Sequence, residues 1–556
     1  MSSDQPQLDE GRFSTTTPTS QAPNPSGFRV TASEVLTVLF CGLALSAGWG
    51  VRGNWGHEFG AMIPGALAAM ATVLTLGRTD WHRRIPYFAF FGALGWSFGG
   101  SISYMWVIGY AHSGHAPSVL YGFACLFVIG FLWGSLGGLG TALPAALDRQ
   151  RLSELIIPTC AVFVALFIQA ILMEIGEQDE ALLLRDYGAT ATEFLKGLHY
   201  NWYDTDWVAA LSAAGAVLIL AVIRRRVDWG TCFILALAAG WWIGFTVLTP
   251  GLGIRMTPNR GDSWAGMLGM VGAGFIFLLS CRLYAVAWST LVVGLIGGLG
   301  FSGATLFELL ELTTGYKTNW HSVLEQTYGF INGLGVGVAM VFLARRTPRV
   351  SDEPATRRWT ETFCVAFVLV VITWLNIRKN MIFIWLPGKV IPEEMYGLSA
   401  TAWFNLAYFC LAATVLIPLV YHRRVRKIAI VPESWLGRGQ LLFLVFLWWI
   451  IVGDLSRYLP FDDRRMITEG VIFCNACVLT MFALLLPNVT CGMPYEQPYD
   501  WPRVLKRTLG WGLTACALVV LLEFAVTRVT WGDKFSGHGK QHIRFGPNST
   551  TGKYPP

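Results

Sequence analysis

Two stretches of this chain, VTASEVLTVLFCGLALSAGWG and VLKRTLGWGLTACALVVLLEFAV, are built mainly of apolar residues. Each is about 20 residues long, enough for a helix to cover the roughly 30 Å hydrocarbon layer of a bilayer. Inside that layer every peptide group must be hydrogen-bonded within the protein, so only helices or a closed barrel can cross it. The alternating ten-residue segments that mark a membrane barrel are not found. Similar apolar blocks recur between the two polar ends of the 556-residue chain, which is 54% hydrophobic and 14% charged. A soluble protein carries nearer a quarter of charged residues. The expected fold is an all-α polytopic membrane protein, with the lipid bilayer as its first partner.

The blocks predict about fifteen transmembrane helices, beginning near residues 33, 58, 84, 119, 154, 206, 229, 263, 283, 321, 359, 399, 438, 466 and 506. Alternate loops carry Arg78, Arg83 and Arg84; Arg149 and Arg151; Arg224, Arg225 and Arg226; Arg345, Arg346 and Arg349; and Arg423, Arg424, Arg426 and Lys427. Cytoplasmic loops collect Lys and Arg, which assigns these loops and the N-terminus to the inside of a cell (inner) membrane. An odd number of spans then places the C-terminus outside. The longest intervening loop, Glu177 to Asp206, is acidic, with Asp179, Glu180, Asp186, Glu193 and Asp204. Residues 1–32 are rich in Ser, Thr, Pro and Gln and read as a disordered tail with no cleavable signal peptide.

The chain also repeats itself. Gly48-x-Gly50-x-Arg52 returns as Gly251-x-Gly253-x-Arg255, and Asn54-x-Gly56 as Asn259-x-Gly261. GALGWS from Gly92 matches GGLGFS from Gly297, and Gly109-Tyr110 matches Gly315-Tyr316. SVL followed by YGF occurs at Ser118 to Phe123 and again between Ser322 and Phe330; the offsets stay between 203 and 207. Colinear matches of this kind predict that helices 1–4 are duplicated as helices 7–10. Six helices separate the two starts, so the copies run parallel, as the halves of some transporters do. The chain then divides into a tail (1–32), repeat A (33–150), two connecting helices (151–228), repeat B (229–347), a five-helix bundle (348–528) and a polar extracytoplasmic tail (529–556).

Several function classes are excluded. The net charge of +6 sits in short loops and is accounted for by topology, with no nucleic-acid partner implied. Most of the eleven cysteines lie inside apolar blocks and read as small buried hydrophobes; Cys474-x-x-Cys477 has no second pair or nearby His to make a metal site. Gly48-x-Gly50-x-x-Gly53 fits the dinucleotide fingerprint by letter, but that motif needs a preceding strand, and an apolar helix precedes it here. No cofactor and no metal are expected.

The polar chemistry gathers at one end. Helix 1 ends in Gly48 to Glu58, and the turn between helices 7 and 8 holds Arg255, Asn259 and Asp262. The assigned topology brings Arg52, Asn54, His57, Glu58, Arg255, Asn259 and Asp262 to the same face as Glu308, Glu311 and His321, with His112 and His115 nearby. Arg binds carboxylate or phosphate bidentately, and helix N-termini favour anions. Glu308 and Glu311, three apart, share a helix face and suit proton or cation coupling. The glycines supply either positive φ and exposed amides or close helix contacts. Arg52 and Arg255 can equally serve as structural clamps on Glu58, Asp262 or Glu308. The remaining polar residues within spans, among them Asn332, Asn376 and Glu523, are expected to make interhelical hydrogen bonds.

The leading expectation is therefore a carrier for a small, anionic solute, with Arg52, Asn54, His57, Glu58, Arg255, Asn259 and Asp262 at the solute and Glu308 and Glu311 coupling an ion. The alternatives are a membrane enzyme acting on a lipid-linked substrate, with His57 and Glu58 as base and orienter, and a non-catalytic subunit of a membrane complex. The enzyme reading lacks an H-E-x-x-H motif in this sequence, and its one G-x-S-x-G match, Gly95 to Gly99, lies inside an apolar block.

Overall fold

A computed structural model describes residues 30–52, 58–100, 102, 104–187, 207–254, 256, 263–351, 353–428, 434–458, 465–488 and 499–532. Apolar blocks become helices wherever caps and breakers allow. Thr31 and Glu34 form a reciprocal cap, each side chain accepting from the other's backbone N–H, which is the T-x-x-E capping box and starts α1 (Ala32–Arg52). Then come α2 (Glu58–Thr75), the short α3 (Thr79–His82), α4 (Ile85–Gly100), the short α5 (Met105–Ala111), α6 (Ala116–Ala146), α7 (Arg149–Tyr187) and α8 (Trp207–Arg224). The chain continues with α9 (Trp229–Thr246), α10 (Ser263–Ser280), α11 (Tyr284–Thr314), α12 (Trp320–Arg346) and α13 (Trp359–Ala366), which is prolonged by π-type turns to Trp385. A two-residue antiparallel pair, Glu394–Met395 with Leu398–Ser399, precedes α14 (Ala400–Arg424), α15 (Trp435–Tyr458), α16 (Met466–Leu485) and α17 (Trp501–Trp531).

Every expected span start falls within about five residues of a helix start. Eleven of the helices in the described residues are long and apolar enough to cross a membrane, and α2 and α8 are shorter apolar helices. The protein is thus a multi-pass α-helical membrane protein. The acidic loop expected from Glu177 needs correction, because α7 continues to Tyr187. Its EQDEALLLRDY continuation is rich in Glu, Leu and Ala, which favour helix irrespective of polarity.

Among the described residues, six helices close into a ring in the order α1, α2, α4, α6, α11, α12 and back to α1. Close packing depends on glycine. A Cβ at Gly95 would stand 2.4 Å from Leu136 O across the α4–α6 contact, and one at Gly333 would stand 2.4 Å from Cys41 O across α12–α1. Small residues let membrane helices approach backbone to backbone in this way. Outside the ring, α16 packs on α1, α15 on α2 and α16, and α17 on α11 and α6, while α9 pairs with α10. The two sequence-matched sets are used differently: all of α1, α2, α4 and α6 enter the ring, but of the second set only α11 and α12 do.

Candidate functional site

Arg52, the last residue of α1, is 2% exposed. It fits there because α2 carries glycine opposite: a Cβ at Gly60 would lie 2.9 Å from Arg52 Cγ. Gly48 plays the same part, since a Cβ there would meet Pro64 Cα of α2 at 2.5 Å. Gly48 and Gly50 are helical and have no positive φ. Of the two glycine roles left open by the sequence, these two positions serve close approach rather than exposed amides; in the second motif Gly253 does adopt φ 65°.

The Arg52 guanidinium donates through Nη1 to Glu325 Oε1 at 2.5 Å and to Tyr104 Oη at 3.3 Å, and through Nη2 to Gly100 O at 3.4 Å. Its Cζ lies 5.0 Å from the Trp49 ring centroid and 5.4 Å from that of Trp133, a cation–π arrangement. Glu325, in the second turn of α12, is 1% exposed. It also accepts from Tyr104 Oη at 2.7 Å. The polar chain then runs outward: Tyr104 Oη is 3.0 Å from His321 Nε2, which is also 3.4 Å from Glu325 Oε1. On its other side His321 Nδ1 is 3.4 Å from Glu308 Oε1 on α11. Burial, followed by the Glu325 carboxylate, pushes the Tyr104 phenol well above its ordinary range, so Tyr104 remains a donor. Both ring nitrogens of His321 face oxygen, and the imidazolium form satisfies both. His112 is half-buried near Glu308; desolvation lowers its pKa, with Glu308 opposing.

Beneath this cluster the ring is filled by aromatic side chains drawn from five of its helices. Trp49 stacks on Trp133 at 5.1 Å, and Tyr328 meets Trp49 edge-on at 5.0 Å. Trp96 and Phe301 complete the plug against Trp49 and Trp133, and Tyr104 leans on Phe301. The opposite end of the ring is closed by ions as well. Arg78 donates through two nitrogens to Asp80, and Arg84 donates to the same carboxylate. Arg78 also reaches Ala344 O and Thr347 O at the end of α12, and Arg84 reaches Pro144 O and Leu147 O at the end of α6. Glu34 at the start of α1 pairs with Arg345 at the end of α12. The antiparallel α1 and α12 are therefore pinned at both ends, by Glu34–Arg345 and Arg52–Glu325. The 18 residues from Glu34 to Arg52 span about 27 Å of helix, close to the hydrocarbon thickness.

The expected site residues fare differently. Arg52 and Glu308 join the network. Glu311 is exposed and lies near enough to Glu308 to feel its charge, so the two glutamates are neighbours although only Glu308 reaches His321. Asn54, His57, Arg255, Asn259 and Asp262 lie outside the described residues, as does the side chain of Glu58, the first residue of α2. As a clamp, Arg52 takes Glu325, a partner not considered from the sequence; Asp262 and the side chain of Glu58 lie outside the described residues. Tyr104 and Glu325 were missed, yet a signal existed for the second. Glu325, Gln326 and Thr327 are the three residues that separate SVL from YGF in the second motif and are lacking in the first. Several of the loop arginines read as topology charge are buried: Arg78 and Arg84 cap helix ends, while Arg149 pairs with Glu361 and Arg345 with Glu34. Asn376 does bridge helices, donating to Phe59 O. Among the described residues no group of three or more His, Cys, Asp or Glu is placed to hold a metal. Set against family models, curated proteins and solved structures, the chain matches none of them.

Proposed function

We propose that the protein is a carrier for a small anionic solute in the cell (inner) membrane, coupled to protons at its Arg52 end. The observation that carries this reading is the buried Arg52–Glu325 pair at the inner end of the Tyr104–His321–Glu308 chain. A solute carboxylate or phosphate offers Arg52 what Glu325 already gives it, an oxygen acceptor for a planar fork. The solute takes that place when Glu325 accepts a proton passed inward from water through Glu308 and His321. The proton rides on Glu325 while the solute neutralises Arg52, so neither charge is left unpaired in a dry site. Asn54, His57 and Glu58, which follow Arg52 in sequence, and Arg255, Asn259 and Asp262 complete the proposed solute site, on the outer side of the membrane. Glu308 is the proton entry, and Glu311 its exposed neighbour. The ion pairs at both ends of the ring and the aromatic plug between them suit an occluded state of such a carrier.

The test is uptake into proteoliposomes of a panel of small mono- and dicarboxylates and inorganic phosphate, with and without an inward proton gradient. Wild type is expected to accumulate one of them when the gradient is imposed. Glu325→Gln is expected to lose gradient-driven accumulation by at least tenfold while still exchanging labelled for unlabelled solute. Uptake of no anion, or uptake indifferent to both the gradient and Glu325→Gln, overturns the reading.

A further inference from the structure

Glu523 lies about three-quarters of the way along α17, a 31-residue helix apolar enough to span a membrane that packs outside the ring on α11 and α6. Its side chain is 3% exposed, and neither carboxyl oxygen has a hydrogen-bond partner among the described residues. Toward α11 its polar neighbour is the Ser302 hydroxyl, whose proton goes to Gly298 O. Opposite also stands Gly303 of α11, where a Cβ would lie 3.6 Å from Glu523 Oε1. One turn further along α17 the Thr527 hydroxyl is also buried without a partner. On this helix the neighbours Leu521, Leu522, Val526 and Val529 are exposed, which in a membrane means exposed to lipid. The titratable and charged groups on the packed elements are Tyr284, Glu308 and Glu311 on α11 and Tyr121 and Cys125 on α6. On α17 itself they are Arg503, Lys506, Arg507, Cys516 and Arg528, and Arg528 is engaged with Gly114 O and Gly532 O. None of them hydrogen-bonds to Glu523.

An ionised carboxylate without a partner is very costly in such surroundings, and the neutral acid far less so. Ionisable residues inside spans are rare and mark proton or ion pathways. We infer that Glu523 is a proton-binding site inside the membrane, carrying its proton at neutral pH against α11. Losing that proton places an unpaired charge between two apolar helices and drives α17 away from α11, which links protonation to helix packing. This site is independent of the carrier reading and of the Arg52 network.

The probe is dicyclohexylcarbodiimide, an apolar reagent that reacts with protonated carboxyls in apolar surroundings. The acid proton moves to a carbodiimide nitrogen and the carboxylate oxygen adds to the central carbon. The acyl group then shifts to nitrogen, leaving a stable N-acylurea that retains the whole reagent. Purified full-length protein at pH 7 is expected to carry the adduct on Glu523 by peptide mass spectrometry. Glu523→Asp keeps the label, Glu523→Gln loses it, and sodium at 100-fold over the protein leaves it unchanged. Glu523→Gln, which imitates the neutral acid, is expected to melt within a few degrees of wild type. An unlabelled Glu523 that instead reacts with a water-soluble carbodiimide and an amine overturns the inference, because the site is then wet. Protection by sodium overturns it too, because the site then holds a cation.

Discussion

At the scale of the residue, Arg52 fills one of the two roles that the sequence presented as alternatives, and the other is the one proposed for it. It is a clamp, because Glu325 holds it with both groups almost wholly buried, and its partner is the group a solute would have to replace. Removing one member of a buried pair leaves the other charge uncompensated and costs about 3–5 kcal/mol. Arg52→Ala is therefore expected to lower the stability of the purified protein by that order in thermal or denaturant unfolding. The double variant Arg52→Leu/Glu325→Leu is expected to recover most of the loss, since apolar replacement of a whole buried pair is often neutral. A double variant no more stable than Arg52→Ala would show that Glu325 is not what makes the lone substitution costly. Arg52→Lys keeps the charge but not the fork that spans Glu325, Tyr104 and Gly100 O, and falls between wild type and Arg52→Ala.

At the scale of the element, the loop between α2 and α4 acts through one carboxylate. Asp80 holds Arg78 and Arg84 in place to cap α12 and α6, and it accepts from Val350 N as well. Burial alone would raise its pKa, but the hydrogen bonds and charge of Arg78, with the charge of Arg84, hold it below the ordinary carboxylate value. A carboxylate whose pKa is lower folded than unfolded adds stability above its unfolded pKa, about 3.9, and that stability fades as pH falls through the folded value. Asp80→Asn is expected to destabilise the protein by about 3–5 kcal/mol at neutral pH. The gap from wild type should close as the pH is lowered below about 4. Melting temperatures of both proteins across pH 3 to 7 check this, and a gap that does not change with pH would mean that Asp80 contributes through shape alone.

At the scale of the whole molecule, the ring is closed by ion pairs at two ends separated by roughly the thickness of a bilayer. A ligand that binds only the folded state stabilises it by about 2.7 kcal/mol at a hundredfold excess over its dissociation constant. Under the proposed carrier function, the solute anion is expected to raise the melting temperature of wild type and to have no effect on Arg52→Ala. A shift of equal size in both would place the anion away from Arg52.

The sequence by itself determined the class and, to within a few residues, where the long helices start. Membrane helices are local objects, fixed by about 20 apolar residues and by caps such as Thr31–Glu34 that act within one turn. It also marked Arg52 and Glu308 as sites of interest, because ionisable groups are rare in such surroundings. Only the tertiary structure decided what they touch. Arg52 and Glu325 are 273 residues apart, and nothing in the chemistry of either names the other. Only the order of helices around the ring brings them together. Tyr104 looks in sequence like any aromatic residue of a membrane protein and becomes the link between Arg52 and His321 through its place beside α12. The loop arginines show the same limit from the other side: their charge is legible as a count, but whether it faces water or caps a helix depends on which helix ends arrive beside it. Glu523, expected to hydrogen-bond across helices, faces Gly303 and the Ser302 hydroxyl, and only the packing of α17 on α11 reveals how little polar company that carboxyl has among the described residues.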